Sequence, residues 1–422
     1  MSLQGKHIII GISGGIAAYK IPELIRSLVK AGAEVRVATT HNALQFVTEL
    51  TLQTVSGNRV YSDVFAAINE HATEHISLPE WGDVLLVAPA TANVVCKTAA
   101  GIADDALTTT ICSCAARKPI VIAPAMNDKM WENAAVQQTM TTLRTWKNVQ
   151  IIEPAEGPLA CGTCGKGRMP EIEELLEALC YALTEQTMAG KRVLITAGGT
   201  QEKIDPVRFI SNYSTGKMGI ALAQACARRG AEVTLVCGAV SAPLFNPYGR
   251  IRRIDALSAQ AMYEACMNEW PKHDIAILSA AVADFAPETT AAEKIKKEAF
   301  SIQHSAISIQ RSAFLAHKGH DYFSIQLKET ADIAKALGET KRADQRLIGF
   351  ALETEHEKEN ALRKMERKNL DAIILNSLRD KGAGFGTDTN IVTILQPDGS
   401  STALPLQSKA LISEEILRVL FS

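Results

Sequence analysis

The stretch KHIIIGISGG, residues 6–15, joins an unbroken apolar run to a glycine-rich turn, and this combination decides the fold class. The apolar run predicts a buried strand at residues 6–11, and the glycines precede a predicted helix at residues 16–30. Gly32 ends that helix, and a second apolar strand is expected at residues 34–39. Near-continuous apolar strands joined by helices are typical of a parallel sheet that is covered on both faces.

The same pattern returns once, so we expect two such domains. A strand at residues 192–197, two glycines, a helix ending near Arg229 and a strand at residues 232–237 repeat the order of elements. A chain of 422 residues is too long for one core and fits two domains of roughly 200 residues each. We therefore predict an α/β fold with two doubly wound, Rossmann-like parallel-sheet domains, at residues 1–187 and 188–422.

One loop distinguishes the second unit from the first. The glycines that bracket the helix lie 17 positions apart in the first unit and 31 apart in the second, and the added residues fall within residues 200–217. This loop follows a first strand, at the edge where open α/β sheets bind ligands. It carries Asn212 and Lys217 and opens onto an apolar helix at residues 218–228, whose backbone N–H groups suit a phosphate. An idle surface loop is the alternative, but the density of polar groups favours a binding site.

Further elements follow in both domains. Strands are expected at residues 84–88, 120–123, 149–153, 275–279, 347–350 and 372–376. Helices are expected at residues 105–117, 171–185 and 355–368, and loops at residues 157–168 and 380–388. Two copies of FSIQ, at residues 300–303 and 323–326, alternate apolar and polar positions and predict an extra strand or hairpin.

Composition limits the possible partners. With 47% apolar and 21% charged residues, the chain is typical of soluble globular proteins. Its net charge of −2 gives no overall electrostatic attraction to nucleic acid or membranes. The apolar run at residues 8–10 is far too short for a membrane span, and no signal peptide is recognisable. We expect a cytoplasmic protein that acts on small molecules.

Cysteine spacing leaves a zinc site open as an alternative. Cys112 and Cys114, together with Cys161 and Cys164, supply four thiols of the kind that bind zinc. The first two fall in the predicted helix at residues 105–117, where residues two positions apart face different sides. Free thiols are the expectation for most of the nine cysteines in a reducing compartment.

Several long motifs carry a family resemblance. They are GISGGIAAYK at residues 11–20, APATAN at 88–93, PAMN at 124–127, ISNYSTGKMG at 210–219 and GAGFGTDTN at 382–390. The chain resembles, nearly end to end, the bifunctional coenzyme A enzymes that join a phosphopantothenoylcysteine decarboxylase to a phosphopantothenate–cysteine ligase. The resemblance implies a flavoprotein decarboxylase domain at residues 1–187 and a ligase domain at residues 188–422.

For the first domain, the resemblance implies an FMN-dependent decarboxylation. Oxidation of the substrate thiol by FMN would create a C=S group that accepts the electrons left when CO₂ departs. His75, in the segment HISL that we read as the approach to a strand, matches the catalytic histidine. Asn127 would bind the substrate carboxylate, and Cys161 would donate the last proton, while Cys164 departs from the family pattern and could form a redox pair with Cys161. The residues implied for FMN are Ser13, Gly14, Thr39, Thr91 and Asn93.

For the second domain, the resemblance implies a CTP-dependent ligase. The carboxylate of 4′-phosphopantothenate would attack the α-phosphate of CTP, and the amine of cysteine would then displace CMP from the acyl-cytidylate. Mg²⁺ and lysines would neutralise the charge. Asn212 would hold the acyl intermediate, and Lys294 would act in catalysis and nucleotide binding. The other implied nucleotide residues are Asp284, which would also bind the metal ion, Phe350, Lys364 and Lys368.

Two features qualify the second site. Lys364 and Lys368 lie one turn apart on a helix, and the nearby glutamates leave a solvated helix face as the alternative. The usual Asn-Pro or Thr-Pro before an Asp-Ile pair is here Thr330-Ala331, so Asp332 is only a further candidate.

Two other functions fit the sequence less well. An NAD(P)-dependent oxidoreductase predicts an acidic residue at the end of a second strand, where this chain has Thr39 and Cys237. A flavin-binding regulatory protein without catalysis is opposed by the presence of His75, Cys161 and Lys294. The resemblance also implies a homo-oligomer, a dodecamer of decarboxylase trimers and ligase dimers, in which the flavin site lies between subunits.

Overall fold

The structure is a computed structural model, and it describes residues 3–65, 74–115, 117–158, 162, 164–296, 324–353, 356–377, 384 and 386–421. The chain forms two compact units, Met1–Glu185 with Phe245–Gly249, and Gln186–Leu244 with Arg250–Ser422. The domain boundary after residue 187 stays a prediction, because residues 245–249 follow that boundary in sequence yet belong to the first unit. No helix of the described residues is long and apolar enough to span a membrane.

The first unit alternates strands and helices as the sequence predicts. Its strands are β1 (His7–Ile12), β2 (Glu34–Thr39), β3 (Val60–Tyr61), β4 (Val84–Ala90), β5 (Ile120–Pro124), β6 (Val149–Ile151), β7 (Ala155–Pro158) and β8 (Cys164–Arg168). Its helices are α1 (Ile21–Lys30), α2 (Glu49–Ser56), α3 (Glu74–Trp81), α4 (Ala92–Ala100), α5 (Ala106–Cys114), α6 (Asp128–Trp131), α7 (Ala134–Arg144) and α8 (Ile172–Ala182).

The main sheet of this unit is entirely parallel, with strand order β3-β2-β1-β4-β5-β6. Successive side chains of β1 enter opposite cores: Ile8 and Ile10 pack in the core that contains Leu24 of α1, and Ile9 packs in the core that contains Leu107 of α5. The sheet is therefore covered on both faces, and the prediction of a doubly wound α/β fold is confirmed for this unit.

Three local predictions in this unit need correction, the first only in its opening turns. The helix predicted at residues 16–30 begins as a 3-10 helix, Ile16–Lys20, because Pro22 lacks an N–H and belongs in the first turn of α1. His75 lies in the helix α3 rather than before a strand, since Leu78 and Pro79 are buried beside α5 and β1. The loop predicted at residues 157–168 is largely the antiparallel hairpin β7–β8.

The second unit contains the remaining elements. Its strands are β9 (Arg192–Ala197), β10 (Gln201–Lys203), β11 (Phe209–Ser211), β12 (Glu232–Cys237), β13 (Ile251–Asp255), β14 (Ile275–Leu278), β15 (Phe285–Pro287), β16 (Leu327–Glu329), β17 (Arg346–Glu353), β18 (Ala372–Ser377), β19 (Thr389–Leu395) and β20 (Ser401–Ser408). Its helices are α9 (Lys217–Arg228), α10 (Ala259–Glu269), α11 (Ile333–Glu339), α12 (Glu357–Arg367) and α13 (Lys409–Phe421).

The main sheet of the second unit has the order β13-β12-β9-β14-β17-β18-β19-β20. Its first six strands are parallel, as predicted, whereas β19 and β20 add an antiparallel edge that the sequence analysis did not predict. The turn between these two strands includes Gly399 at φ +83°, a conformation that favours glycine.

The long loop that distinguishes the second unit contains a short hairpin, β10–β11, rather than irregular chain alone. A second small hairpin pairs β15 with β16. The extra strand or hairpin predicted from the FSIQ repeats lies at residues 300–303 and 323–326, and all of it except residues 324–326 is outside the described residues. Most of the loop predicted at residues 380–388 is also outside them.

Candidate active sites

A cavity of about 1120 Å³ lies in the first unit at the carboxyl ends of β1, β4 and β5. The sequence predicts ligand binding at this edge of an open parallel sheet. The wall includes Asn127 and four of the residues predicted to bind FMN, namely Ser13, Gly14, Thr91 and Asn93. Residues from three separate motifs are therefore brought together by the strand order.

Ser13 joins the ends of β1 and β4 behind the cavity surface. The side chain is fully buried, its hydroxyl donates to the Pro89 carbonyl at 2.6 Å and accepts the Thr91 N–H at 2.9 Å. Its single hydroxyl proton is therefore already used, which makes Ser13 a residue that shapes the site. Gly14 lies beside it, where a Cβ would come within 2.5 Å of the Asn42 Cβ, so only glycine fits.

Helix α4 presents its first turn to the same cavity. Thr91 is the N-cap residue, and its side chain makes no capping hydrogen bond, while Asn93 in the first turn is exposed. Backbone N–H groups at such a helix start favour an anion such as a phosphate. Apolar wall residues, including Ile16, Val94 and Met126, complete a surface that fits a flavin ring and its phosphate.

Two of the predicted residues that the structure describes, Thr39 and His75, are not part of this wall. Thr39 ends β2 and is fully buried, its hydroxyl has no hydrogen-bond partner among the described residues, and its neighbour Thr40 lines the cavity instead. His75 lies in α3 and does not line the cavity. Cys161 is outside the described residues. The functional roles of all three stay predictions.

The hairpin β7–β8 packs directly against the loop that carries Asn127. The Met126 N–H donates to the Gly167 carbonyl at 2.9 Å, and a Cβ at position 167 would lie 2.2 Å from the Met126 carbonyl oxygen. The Asn127 side chain accepts the Lys129 N–H at 3.0 Å and so caps the short helix α6. The hairpin thereby fixes one edge of the cavity at the residue predicted to bind the substrate carboxylate.

Cationic side chains on this wall were missed by the sequence analysis. Lys20 donates to Glu171 at 3.1 Å, and Arg168 is paired with the other carboxylate oxygen of Glu171. Lys97 also lines the cavity and contacts Asp104 at 2.8 Å. All three cations are paired with carboxylates and Asp105 also lines the cavity, so the wall offers cationic donors without an excess of positive charge. Lys20 ends the motif GISGGIAAYK, so its place within that motif was the available signal.

A second cavity, of about 430 Å³, lies in the second unit at the carboxyl ends of β14 and β17. Asp284, Phe350, Lys364 and Lys368, all predicted nucleotide residues, line it. Acidic, basic and aromatic groups therefore meet at one edge of this sheet, as a nucleotide with a bound cation requires.

The loop that carries Asp284 is fixed by threonines. The Thr200 hydroxyl accepts the Ala283 N–H at 3.0 Å. The Thr330 hydroxyl donates to the Ala283 carbonyl at 2.6 Å, and the Thr330 N–H donates to the Asp284 carbonyl at 2.9 Å. Thr330, which stands at the departure from the family pattern, thus orients the backbone of Asp284 with Ala331 in the place of proline.

Asp332 also lines the second cavity and orients one of its lysines. Its carboxylate accepts the Lys335 N–H at 3.0 Å, which caps α11, and the Lys368 ammonium at 3.0 Å. Burial would raise the pKa of Asp332, but these two donors hold it below its ordinary value. Asp332 is therefore charged at neutral pH and keeps Lys368 at the cavity wall.

Neither Asn212 nor Lys294 is on the wall of the cavity. The Asn212 amide donates to the Ala281 carbonyl at 2.9 Å, so it contacts the loop that carries Asp284. Lys294 is exposed on a segment that packs along β10–β11. The catalytic roles of both residues stay predictions.

The zinc alternative receives no support from the described cysteines. Cys112 is exposed and Cys114 is buried on α5, as the helix spacing predicts. Burial raises the pKa of the Cys114 thiol to about 12, which disfavours a metal-binding thiolate. Within the described ranges, no three His, Cys, Asp or Glu side chains form a group able to hold a metal ion.

Comparison with known proteins gives family matches over almost the whole chain. Residues 1–184 match the model of the family Flavoprotein, and residues 188–315 and 310–422 match the DNA/pantothenate metabolism flavoprotein C-terminal domain.

Curated relatives match at similar length. The coenzyme A biosynthesis bifunctional protein CoaBC of Bacillus subtilis (strain 168) is 44% identical over 419 residues, covering 99% of this chain and 97% of that protein. The protein of the same name from Escherichia coli (strain K12) is 40% identical over 418 residues, covering 99% and 97%. A cysteine/cysteine sulfinic acid decarboxylase of an unknown prokaryotic organism is 45% identical over 378 residues, covering 88% and 98%.

Proposed function

This chain belongs to the family of coenzyme A biosynthesis bifunctional proteins, which unite a flavoprotein decarboxylase and a ligase, and we propose how its residues divide the two reactions. The ligase unit joins 4′-phosphopantothenate to cysteine at the expense of CTP, and the decarboxylase unit converts the product to 4′-phosphopantetheine. The observation that carries this assignment is that residues from distant motifs converge on one cavity in each unit.

In the decarboxylase unit, the first turn of α4 and the backbone at Gly14 would hold FMN. When bound, FMN would supply the redox chemistry that makes loss of CO₂ from a cysteine carboxylate possible. Asn127 would orient that carboxylate, and Lys20 and Arg168 would neutralise the phosphate of the substrate. Cys161 would donate a proton to the product.

His75 would complete this site from a neighbouring subunit. The family resemblance implies a flavin site between subunits, and the position of His75 away from the cavity wall of its own unit supports that arrangement. We accordingly propose a homo-oligomer, a dodecamer by resemblance, as the form that decarboxylates.

In the ligase unit, Lys364 and Lys368 would contact the triphosphate of CTP, and Phe350 would flank its base. Asp284 would hold Mg²⁺, which neutralises charge as the carboxylate oxygen of 4′-phosphopantothenate bonds to the α-phosphorus and pyrophosphate leaves. The amine of cysteine would then form the amide bond as CMP leaves. Asn212 would hold the acyl intermediate, and Lys294 would stabilise the developing negative charge.

Free cysteine is the second candidate substrate for the decarboxylase, because one relative is named for that activity. We favour the phosphorylated compound, because Lys20, Lys97 and Arg168 on the wall are donors that a substrate phosphate would bind. The two substrates are distinguished by their products, 4′-phosphopantetheine and cysteamine.

The test is a mass-spectrometric assay of the purified full chain with 4′-phosphopantothenate, cysteine, CTP and Mg²⁺. We expect 4′-phosphopantetheine, CMP and pyrophosphate. Accumulated phosphopantothenoylcysteine would indicate an active ligase beside a decarboxylase that is inactive or lacks flavin. Cysteamine formed from cysteine alone would reveal the second activity, and no product from folded, flavin-loaded protein would contradict the proposal.

A further inference from the structure

The segment that carries Lys294 is held along the hairpin β10–β11. The Thr290 hydroxyl donates to the Lys203 carbonyl at 3.2 Å, and the Ala291 N–H donates to the Ile204 carbonyl at 3.0 Å. The same hairpin ends one residue before Asn212. It therefore links the two residues that the family resemblance assigns to ligase catalysis.

Asp205 and Arg208 make further hydrogen bonds between the hairpin and the segment of Lys294. The Asp205 side chain is fully buried, and one of its oxygens accepts the Val207 and Arg208 N–H groups, each at 2.8 Å. Its other oxygen accepts the Arg208 guanidinium at 2.9 and 2.5 Å and the Ile295 N–H at 3.2 Å. The Arg208 guanidinium also donates to the Ile295 carbonyl at 2.7 Å.

This pair satisfies both backbone polar groups of Ile295, the residue that follows Lys294. The Asp205 carboxylate and the Arg208 guanidinium thus act as the acceptor and donor that the backbone of a neighbouring β-strand would otherwise provide. Burial alone would raise the pKa of Asp205, but Arg208 and the backbone N–H groups hold it well below its ordinary value. The carboxylate is therefore charged, and an unpaired buried charge is costly, so the contact to Ile295 is strongly favoured.

We propose that Asp205 is a positioning residue of the ligase, which fixes Lys294 in place relative to Asn212 through Arg208 and the Ile295 backbone. The inference rests on the proposed roles of Lys294 and Asn212. Asp205 itself contacts no reacting atom. It restrains the backbone that carries the exposed Lys294. The restraint matters because displacement of a catalytic group by about 1 Å costs roughly 10²-fold in rate.

The test is Asp205→Asn in the full-length protein, since asparagine keeps the shape but loses the charge and presents an N–H toward Arg208 or Ile295. We expect kcat for CTP-dependent pyrophosphate release to fall about 10²-fold, with the KM for CTP changed by less than roughly threefold. Exchange of the Ile295 amide hydrogen should become faster. Decarboxylation of supplied phosphopantothenoylcysteine should be unchanged, because that reaction belongs to the other unit.

Glu202→Gln is the matched control. Glu202 is a buried acid of the same hairpin, but it accepts the Ala259 N–H at 2.8 Å, and no hydrogen bond joins its side chain to the described residues 290–296. This variant should retain the wild-type kcat and Ile295 exchange. A ligase defect equal to that of Asp205→Asn would assign the effect to general loosening of the hairpin and overturn the proposal.

A double-mutant cycle with Lys294→Gln distinguishes the positioning role of Asp205 from the catalytic role of Lys294. Asp205→Asn should cause no further loss of kcat in the Lys294→Gln background, because the group that it positions is gone. An equal fractional loss in both backgrounds, or full activity of folded Asp205→Asn, would overturn the positioning role. Full activity of Lys294→Gln alone would instead contradict the proposed function of that lysine.

Discussion

Asn212 has an exposed side chain, and its amide group already donates a hydrogen bond to a backbone carbonyl. Its N–H group donates to the Ala281 carbonyl at 2.9 Å, which aligns the side chain with the loop of Asp284. The amide oxygen is the group that would face the acyl intermediate. Because that contact would strengthen only as the intermediate forms, its loss should affect turnover more than binding.

We therefore predict that Asn212→Ala lowers ligase turnover about 10²- to 10³-fold, the usual cost of removing one preorganised polar contact. Phosphopantothenoylcysteine supplied to the same variant should be decarboxylated at the wild-type rate. Release of CMP and the yield of 4′-phosphopantetheine, measured separately, check the two halves. A parallel loss of both activities would indicate a folding defect and remove Asn212 from its assigned role.

Single residues also show where sequence reasoning stops. Gly14, Thr91 and Asn127 follow apolar strands, and strand ends of a parallel sheet meet at one edge, so their convergence was predictable. Whether a strand-end residue faces the cavity depends on the direction of its side chain, and Thr39 turns away where Thr40 turns in. The role of Asp205 depends on Ile295, 90 positions away in sequence, and no local pattern reveals that contact.

At the scale of elements, helix α12 and its C-cap residue contribute Lys364 and Lys368 to the wall of the second cavity. We predict that Lys364→Gln raises the KM for CTP about tenfold with a smaller effect on kcat, as expected when one charge-assisted contact of about 1.4 kcal/mol is lost. Lys358→Gln, an exposed change on the same helix away from the cavity wall, is the control. Equal effects of the two substitutions on steady-state kinetics would indicate that Lys364 lies on a solvated helix face and does not bind CTP.

The contact between α9 and α13 combines a shared apolar core with a buried ion cluster. Glu414 of α13 accepts the Arg228 guanidinium at 2.7 Å and is also paired with Arg229, and the Arg228 side chain is only 5% exposed. Glu414→Gln removes the carboxylate charge that pairs with both guanidinium groups, so we predict that the free energy of unfolding of the second unit falls by about 3 kcal/mol.

Urea unfolding followed by a probe in the second unit checks this value. Glu415→Gln removes the adjacent exposed carboxylate, which pairs with Arg418 within the same helix, and should cost less than about 0.5 kcal/mol. A midpoint shift no larger for Glu414→Gln than for Glu415→Gln would contradict the prediction. Flavin content should be unaffected in both variants because the flavin belongs to the first unit.

The elements that the sequence analysis predicted share one physical property. The strands β1, β9 and β12 are buried on both faces, so their apolar runs are unbroken. The hairpins β7–β8 and β10–β11 are short and rich in glycine or charged residues, so they lack the alternation of apolar and polar residues that predicts a strand. The edge pair β19–β20 carried a usable signal, since a Pro-Asp-Gly turn at residues 397–399 separates two alternating segments.

At the scale of the whole molecule, the decarboxylase and the ligase correspond to two compact units. The product of the ligase is the substrate of the decarboxylase, and each unit has its own cores and its own cavity. A lesion in one cavity should therefore leave the other reaction intact when its substrate is supplied directly. The decarboxylase differs in one respect, since a predicted catalytic group, His75, is not on the wall of the cavity in its own unit.

That separation makes the assembly testable by complementation. His75→Ala and Asn127→Ala protomers should each be inactive in decarboxylation when expressed alone. If each site combines His75 of one subunit with Asn127 of another, co-expression at equal levels should restore about a quarter of the sites, because two intact residues must meet by chance. Ligase activity in the same preparations provides the internal control for protein amount and folding.

The readout is the rate of CO₂ release from phosphopantothenoylcysteine, with light scattering to establish that the mixed protein is oligomeric. No recovery in a mixed oligomer would mean that both residues act within one chain, and the movement of α3 toward the cavity would then have to be sought within the unit. Dissociation to monomers should remove FMN and decarboxylation together, since the flavin would lose part of its site. Flavin retained by a strict monomer would contradict a site shared between subunits, whatever the complementation result.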